Sequence, residues 1–294
     1  MNLRKLKIFL TVCECGSMSG AAKKLYMTQP AISQAILELE DELKVNLFDR
    51  IKKKLVLTYP GEILYEYSKR ILMLIDEAQN TIKDISHMNM GRLRIGASTT
   101  IGTYLLPELI GEFKKKYKNI EIHFLIDNTG VIEKKILDYE IDIGLVEGPI
   151  HSKEIIVKPF FDDELYLICS KDHHWASRKS VKPEEIKDEN LIIREPGSGT
   201  REVIENTMAK YNLSYHIKHV LNNTEAIIKA VEANIGISIV PKIAVKEKIK
   251  SGNLIKINLE NICFKRKFNI IYHKDKYRPT LFNEFIEYLN SFGN

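Results

Sequence analysis

Residues 17–43 read SMSGAAKKLYMTQPAISQAILELEDEL, two short helical patterns separated by a tight break. The first runs from about Ser19 to Leu25. The second opens at Thr28-Gln29-Pro30 and carries Ile32, Ile36, Leu39 and Leu43 on one face. Apolar residues at that spacing mark the buried side of a helix. The layout is that of a helix-turn-helix, whose second helix lies in the DNA major groove. Thr28 is placed to cap the second helix through its hydroxyl. Pro30 falls in the first turn, where a missing N–H costs nothing. Pro30, Ser33, Gln34 and Leu37 project away from the apolar stripe, with Gln29 at the exposed N-terminus. Glutamine can pair with adenine, and serine can contact bases or phosphates.

The next stretch, KVNLFDRIKKKLVLT over residues 44–58, sets Arg50, Lys52, Lys53 and Lys54 beside an apolar alternation at Leu55 and Leu57. It reads as a β-hairpin wing with cations placed for phosphates. Residues 1–60 hold ten Lys or Arg and six Asp or Glu, a net of +4, while the whole chain is +5. Positive charge concentrated in this way is the footprint of phosphate neutralisation.

This block resembles the LysR-type transcriptional regulators. The resemblance is carried by AAKKLYMTQPAISQAILELEDELKVNLFDR and by Thr58-x-x-Gly61 at the start of a long helical pattern. Tyr59-Pro60 replaces the commoner small residues before that glycine. The resemblance extends along the chain in length and layout. It implies a DNA operator as partner, a homodimer or homotetramer, contact with RNA polymerase, and a small-molecule effector.

Residues 58–88 repeat apolar positions at Leu64, Ile71, Ile75, Ala78, Ile82 and Ile85. After the first step the spacing alternates four and three, a heptad seam. Thr58 can cap this helix, and Glu62 suits its dipole. A helix of about thirty residues spans roughly 45 Å, too long for a small winged domain to bury. A partner helix covers the seam, and a dimer matches two-fold half-sites.

After Met88-Asn-Met-Gly91 the pattern changes to strands alternating with helices, which implies a parallel sheet covered on both faces. Strands are expected at 92–97, 120–126, 141–146, 164–170, 191–194, 236–241 and 268–272. Helices are expected at 103–117, 131–139, 200–211, 223–234 and 279–292. The expected class is α/β with an all-α-like N-terminal domain. The domains are a winged helix-turn-helix over 1–58, a linker helix over 59–90 and an effector domain over 91–294. The resemblance implies two Rossmann-like lobes of periplasmic-binding-protein type II architecture, lobe one at about 92–161 and 266–294 and lobe two at about 162–265.

Ligands in such sheets sit at strand C-termini near helix N-termini. Ser98, Thr99 and Thr100 offer three consecutive hydroxyls there. In Arg194-Glu-Pro-Gly-Ser-Gly-Thr-Arg201, the glycines let backbone approach a ligand, and Ser198, Gly199, Thr200 and Arg201 supply donors. Arg201 could instead pair with Glu202 or Glu205. Thr129, Glu147, Asn223 and Thr224 complete the set, though any of them could instead be a cap. Glu147 opposes an anion unless Arg201 neutralises it. The expected effector is a small anion or carboxylate, with a sulfur oxyanion such as sulfite or sulfate as leading example and a phosphorylated sugar or NADPH-like metabolite as alternatives. The EPGSGTR segment is similar to the branch containing regulators of sulfur or selenium assimilation and of carbon fixation.

Other classes fit less well. No run of about twenty apolar residues spans a membrane, and charge interrupts any signal-peptide core. The four cysteines, Cys13, Cys15, Cys169 and Cys263, lack metal-ligand spacing. The reading is cytoplasmic, without cofactor or metal. His173-His174 before Trp175, and His216 and His219, read as surface histidines. No G-x-S-x-G or H-E-x-x-H motif supports an enzyme, and a transporter's solute-binding protein would not carry the DNA-binding block.

Overall fold

In the computed structural model, which describes residues 1–51, 54–86 and 91–292, the chain forms two units, Met1–Ser86 and His87–Asn294. The first unit contains α1 (Leu3–Cys15), α2 (Met18–Lys24), α3 (Gln29–Leu43), the hairpin β1 (Phe48–Ile51) and β2 (Lys54–Leu57), and α4 (Tyr59–Ser86). Ile8, Phe9 and Val12 of α1 meet Ile32, Ile36 and Leu39 of α3, and Ala21 and Ala22 let α2 sit close between them. Ser17 caps α2 by accepting from the Gly20 N–H at 3.1 Å. Thr28 occupies the N-cap position of α3, but its hydroxyl makes no capping bond, contrary to expectation.

Thr58 caps α4 by accepting from Gly61 N–H at 3.1 Å, and donates to the Asn46 carbonyl at 2.6 Å. A Cβ on Gly61 would lie 2.2 Å from the Leu47 carbonyl oxygen, so glycine alone allows the helix to start against the hairpin. Along α4 the exposed apolar positions match the expected seam only in part, at Ala78 and Ile82. Leu64 packs on the winged core, and Ile71 and Ile75 are half-buried. Ile63, Tyr67, Leu74 and Ile82 are exposed. Leu64 is one turn into the helix, where the helix still lies on its own domain. The side chain of Ile85 lies outside the described residues.

The second unit runs β3 (Gly91–Ser98), α5 (Thr99–Tyr104), α6 (Leu106–Lys116), β4 (Ile120–Asp127), α7 (Thr129–Leu137), β5 (Ile143–Glu147), β6 (Ile155–Ser170) and β7 (Ser180–Val181). It continues with the 3-10 helix η1 (Pro183–Asp188), β8 (Asn190–Arg194), α8 (Gly199–Lys210), β9 (His216–Leu221), α9 (Thr224–Glu232), β10 (Ile237–Pro241), α10 (Lys242–Lys250), β11 (Leu254–Leu259), β12 (Phe264–His273) and α11 (Thr280–Phe292). The strands hydrogen-bond in the order β4-β3-β5-β12-β6-β10-β8-β9. β3 is parallel to β4 and β5 at one end, and β8 is parallel to β9 and β10 at the other. Between them β6 and β12 run antiparallel, with a register shift between Phe268 and Asn269, so the sheet is mixed and not wholly parallel as expected: these two strands carry the chain between the lobes and pair antiparallel to β5 and β10. The flanking regions each carry their own apolar core, with Phe113, Phe268 and Phe285 in lobe one and Trp175, Leu191 and Met208 in lobe two.

Two expected elements differ. The helix expected over 103–117 is α5 and α6, broken at Leu105. Pro107 lies in the first turn of α6, where its ring and missing N–H block a continuous helix. The strand expected over 164–170 begins at Ile155 and passes through Pro159, which faces Asn269 at the register shift. A bulge tolerates proline because a ladder bond is already missing there. No described helix is long and apolar enough to cross a membrane.

Candidate functional site

In the first unit, α3 buries Ile32, Ile36 and Leu39 and exposes Thr28, Gln29, Pro30, Gln34 and Leu37, with Ser33 half-buried. This is the amphipathic division a recognition helix needs. Gln29 Nε2 donates to Ser33 Oγ at 3.3 Å, and Gln34 Nε2 donates to Glu38 Oε1 at 3.2 Å. These bonds hold both amides on the outward face. Acidic residues on the same helix would repel phosphate, but Lys5 of α1 lies 3.0 Å from Glu38 and 2.6 Å from Glu42. The hydrogen bonds from Lys5 and the chain's amino terminus hold the Glu42 carboxyl down at about 2.

The hairpin pairs Phe48 with Leu57 and Ile51 with Lys54. Glu40 of α3 accepts from the Leu47 N–H at 2.6 Å and the Phe48 N–H at 3.2 Å, tying hairpin to helix. Arg50 and Lys54 therefore belong to the two facing strands. Lys52 and Lys53, between them in the sequence, lie outside the described residues.

In the second unit the expected ligand hydroxyls are brought together, but largely onto one another. Ser98, at the end of β3, donates to the carboxylate of Glu147 at the end of β5. Thr129 Oγ1 donates to the Glu147 carbonyl at 2.9 Å. Thr200 Oγ1 lies 3.4 Å from Glu147 Oε1 and accepts from Arg266 Nη1 at 2.8 Å. Arg266 Nε donates to Asp163 Oδ2 at 2.7 Å, and its Nη1 lies 3.6 Å from Glu147. Ser98, Thr129, Glu147 and Thr200 are all buried. A Cβ on Gly199 would lie 1.6 Å from the Glu147 carbonyl oxygen, so the α8 N-terminus reaches lobe one only as glycine. Ser198 caps α8 by accepting from Arg201 N–H at 3.4 Å.

A second cross-lobe contact centres on Arg194. It grips Glu195 at 2.7 and 2.9 Å, donates from Nη1 to Thr224 Oγ1 and from Nη2 to Thr99 Oγ1, both at 3.2 Å. Burial alone would raise the Glu195 carboxyl, but the Arg194 guanidinium overrides it and holds the group below its ordinary value. Asn128 Nδ2 reaches Glu195 Oε1 at 3.3 Å, and Gly130 N–H donates to the Gly197 carbonyl at 3.0 Å.

Two alternatives are decided and one expectation changes. Arg201 does not neutralise Glu147; it donates to Glu205 Oε1 at 2.7 Å and to the Arg194 carbonyl at 3.2 Å. Its α-helical i,i+4 partner is simply nearer. Asn223 is a cap, accepting from Glu225 and Ala226 N–H groups. The hydroxyl of Ser98 is spent on Glu147 and is not presented as an anion donor. Arg266, Asp163 and Glu195 were not singled out from the sequence. Arg266 had a signal: it falls between Phe264 and Phe268 on the inward face of an alternating strand, and all three are buried. Among the described residues, Thr100 Oγ1 and Arg266 Nη2 are buried here without a hydrogen-bond partner. A separate cavity of about 350 Å3, lined by Arg94, His123, Phe124 and Glu140 among others, shares no residue with this network.

Comparison with known proteins places both units. Residues 3–62 match the family described as bacterial regulatory helix-turn-helix protein, lysR family, and residues 86–293 match the LysR substrate binding domain. The Escherichia coli K12 protein named uncharacterized HTH-type transcriptional regulator YeiE is 33% identical over 288 residues, covering 98% of this chain and 97% of that one. Full-length OxyR from Pseudomonas aeruginosa superposes with TM-score 0.73 at 24% identity, covering 99% of this chain and 94% of that one. The Synechocystis CcmR regulatory domain, solved in complex with 2-PG, superposes with TM-score 0.65 at 27% identity, covering 69% of this chain and 98% of that one.

Proposed function

This chain belongs to the LysR family of transcriptional regulators, and on that premise we propose that it reads a two-fold DNA operator through α3 and senses a small acidic metabolite between its two α/β lobes. Gln29, Ser33 and Gln34 contact base edges, and Thr28 and the hairpin cations contact phosphate. The exposed stripe of α4 pairs with a second copy, giving a homodimer or a dimer of dimers that recruits RNA polymerase in the cytoplasm. The domain limits that accompany this reading are 1–58, 59–90 and 91–294.

The observation that carries the effector reading is the Arg194 fork. It joins Thr99 of lobe one to Thr224 and Glu195 of lobe two. A ligand carboxylate, phosphate or sulfur oxyanion that takes the place of Glu195 on this fork meets donors from both lobes at once. The cost is set by local charge. Glu147, Asp163 and Glu195 face Arg194 and Arg266, so a bare anion is excluded unless it displaces a carboxylate already there. That selects against adventitious chloride and favours a ligand with further polar groups. The CcmR complex with 2-PG supports a small-molecule site in this domain.

Ligand binding shifts the population of lobe arrangements. The change alters the placement of the DNA-binding units and with it the bend imposed on the operator. The test is thermal unfolding of the full chain with sulfate, sulfite, phosphorylated sugars and NADPH. A concentration-dependent rise in Tm with one of them marks binding to the folded state, and Thr99→Val should reduce that rise. No rise with any acid, together with a rise for a neutral or cationic metabolite, overturns the acidic-effector reading.

A further inference from the structure

The turn after β6 carries His173-His174-Trp175, and the residue after η1 is Glu189. His173 Nε2 lies 3.2 Å from Glu189 Oε2, and His174 Nε2 lies 3.0 Å from Glu189 Oε1. The three candidate ligand atoms all fall within 4.8 Å of one another. His173 is not the surface histidine the sequence suggested. Its side chain is 9% exposed and that of Glu189 13%, whereas His174 is 65% exposed.

His173 Nε2 meets one oxygen of Glu189, and His174 converges on the other oxygen of the same carboxylate. The two imidazole rings lie 4.3 Å apart, centroid to centroid. Two imidazoles and one carboxylate whose ligand atoms gather within 4.8 Å form a ligand set.

We infer that His173, His174 and Glu189 bind a divalent transition-metal ion of the zinc class on lobe two. For bonds of about 2.0–2.2 Å in tetrahedral geometry, ligand atoms should stand about 3.3–3.5 Å apart. The two histidines meet different oxygens of Glu189, and the set with one ligand atom per residue lies within 4.8 Å, so closing on one ion takes up to about 1 Å of side-chain movement. Imidazole and carboxylate together favour zinc, nickel, cobalt or copper over magnesium and calcium. The exposed side of His174 leaves the fourth position open to water.

The backbone holds these groups in place before any ion arrives. His173 N–H donates to the Ser170 carbonyl at 3.1 Å, Ala176 N–H donates to the His173 carbonyl at 2.8 Å, and Glu189 N–H donates to the Ile186 carbonyl at 3.1 Å. Trp175 is buried and anchors the turn in the lobe-two core. One contact opposes binding. Trp175 N–H donates to His173 Nδ1 at 3.2 Å, which fixes the ring proton on Nε2. Metal on Nε2 moves that proton to Nδ1 and breaks the bond, so the contact lowers the affinity. The affinity should also weaken as pH falls, because both imidazoles must be neutral. Cys169 is buried and does not belong to the cluster.

The protein carries its own reporter. Trp175 is the sole tryptophan, with its ring 5.4 Å from that of His173 and 5.8 Å from that of His174. Untagged full-length protein is titrated with cobalt(II) while tryptophan emission is followed. The expected result is saturable quenching at one ion per protomer, reversed by excess zinc(II), which is closed-shell and displaces cobalt. His174→Ala, at an exposed position, should weaken apparent affinity at least tenfold. Glu189→Gln is the second variant if the first does not fold. Absence of saturable quenching up to millimolar cobalt, or unchanged quenching in both variants, overturns the site.

Discussion

Arg266 and Asp163 face each other directly across β12 and β6, and the Arg266 Nε to Asp163 Oδ2 distance is 2.7 Å with both side chains almost wholly buried. The pair sits where the two long strands pass between the lobes. Through Thr200 and Glu147 it connects lobe two to lobe one. A buried charge left alone is costly, whereas a paired one is near break-even. Arg266→Met should therefore destabilise the second unit by about 3–5 kcal/mol. The double variant with Asp163→Asn should lose less than the two single losses combined. Urea unfolding of the four proteins measures this; strict additivity would show that the pair is not coupled.

Gly199→Ala tests the contact between α8 and lobe one. The added Cβ would sit 1.6 Å from the Glu147 carbonyl oxygen, a clash with backbone that no side-chain rotation relieves. The variant should keep its secondary structure and lose effector-dependent Tm shifts, because the lobes can no longer meet as they do here. Unaltered ligand response would contradict the account of the network.

Asp142 provides an acid-dependent stability term. Burial alone would raise its carboxyl, but hydrogen bonds and charge from Arg94 and Lys276 hold it at about 2, below its ordinary 3.8. A depressed folded-state value stabilises the fold above about pH 4, and the gain fades as pH falls toward 2. The shift corresponds to about 2 kcal/mol. Asp142→Asn should lower stability at pH 7 and flatten its decline between pH 4 and 2, as read from urea midpoints across that range.

The two kinds of DNA contact are separable by salt. Gln34→Ala should change base preference by about 1–3 kcal/mol and leave the salt slope alone. Replacing Lys52, Lys53 and Lys54 with alanine should weaken binding to every sequence and reduce the slope of log K against log salt by about two to three. Fluorescence anisotropy across a salt series distinguishes them, and identical slopes for wild type and the triple variant would remove the hairpin from the phosphate contacts.

What was legible in the sequence was what repeats locally. The 32-36-39 stripe, Thr28-Gln29-Pro30 and Thr58-x-x-Gly61 each encode one helix start or face, and each falls at the start or on the buried face of the corresponding element. Hydroxyls at strand ends were identifiable as a group for the same reason. Their partners were not. Ser98 meets Glu147 across 49 positions and Thr99 meets Arg194 across 95, and no local period reports such pairings. Thus the anion-donor reading of Ser98 gave way to a carboxylate acceptor, and Arg201 yielded its role beside Glu147 to Arg266. The α4 seam lost Leu64 to the winged core because periodicity identifies apolar positions without saying which of them the home domain already covers. Glu189 was invisible beside His173 and His174 for the same reason: the three meet only through the turn after β6 and the end of η1.

The central claim is that α3 of the full-length protein reads DNA as a two-fold assembly. Selection of duplexes from a random pool by wild-type protein and by Gln34→Ala tests it most directly. The account predicts that wild type enriches two inverted half-sites on one face of the duplex, and that the variant loses preference at one position in each half. Recovery of no sequence above the starting pool, or the same sequence from both proteins, would contradict it.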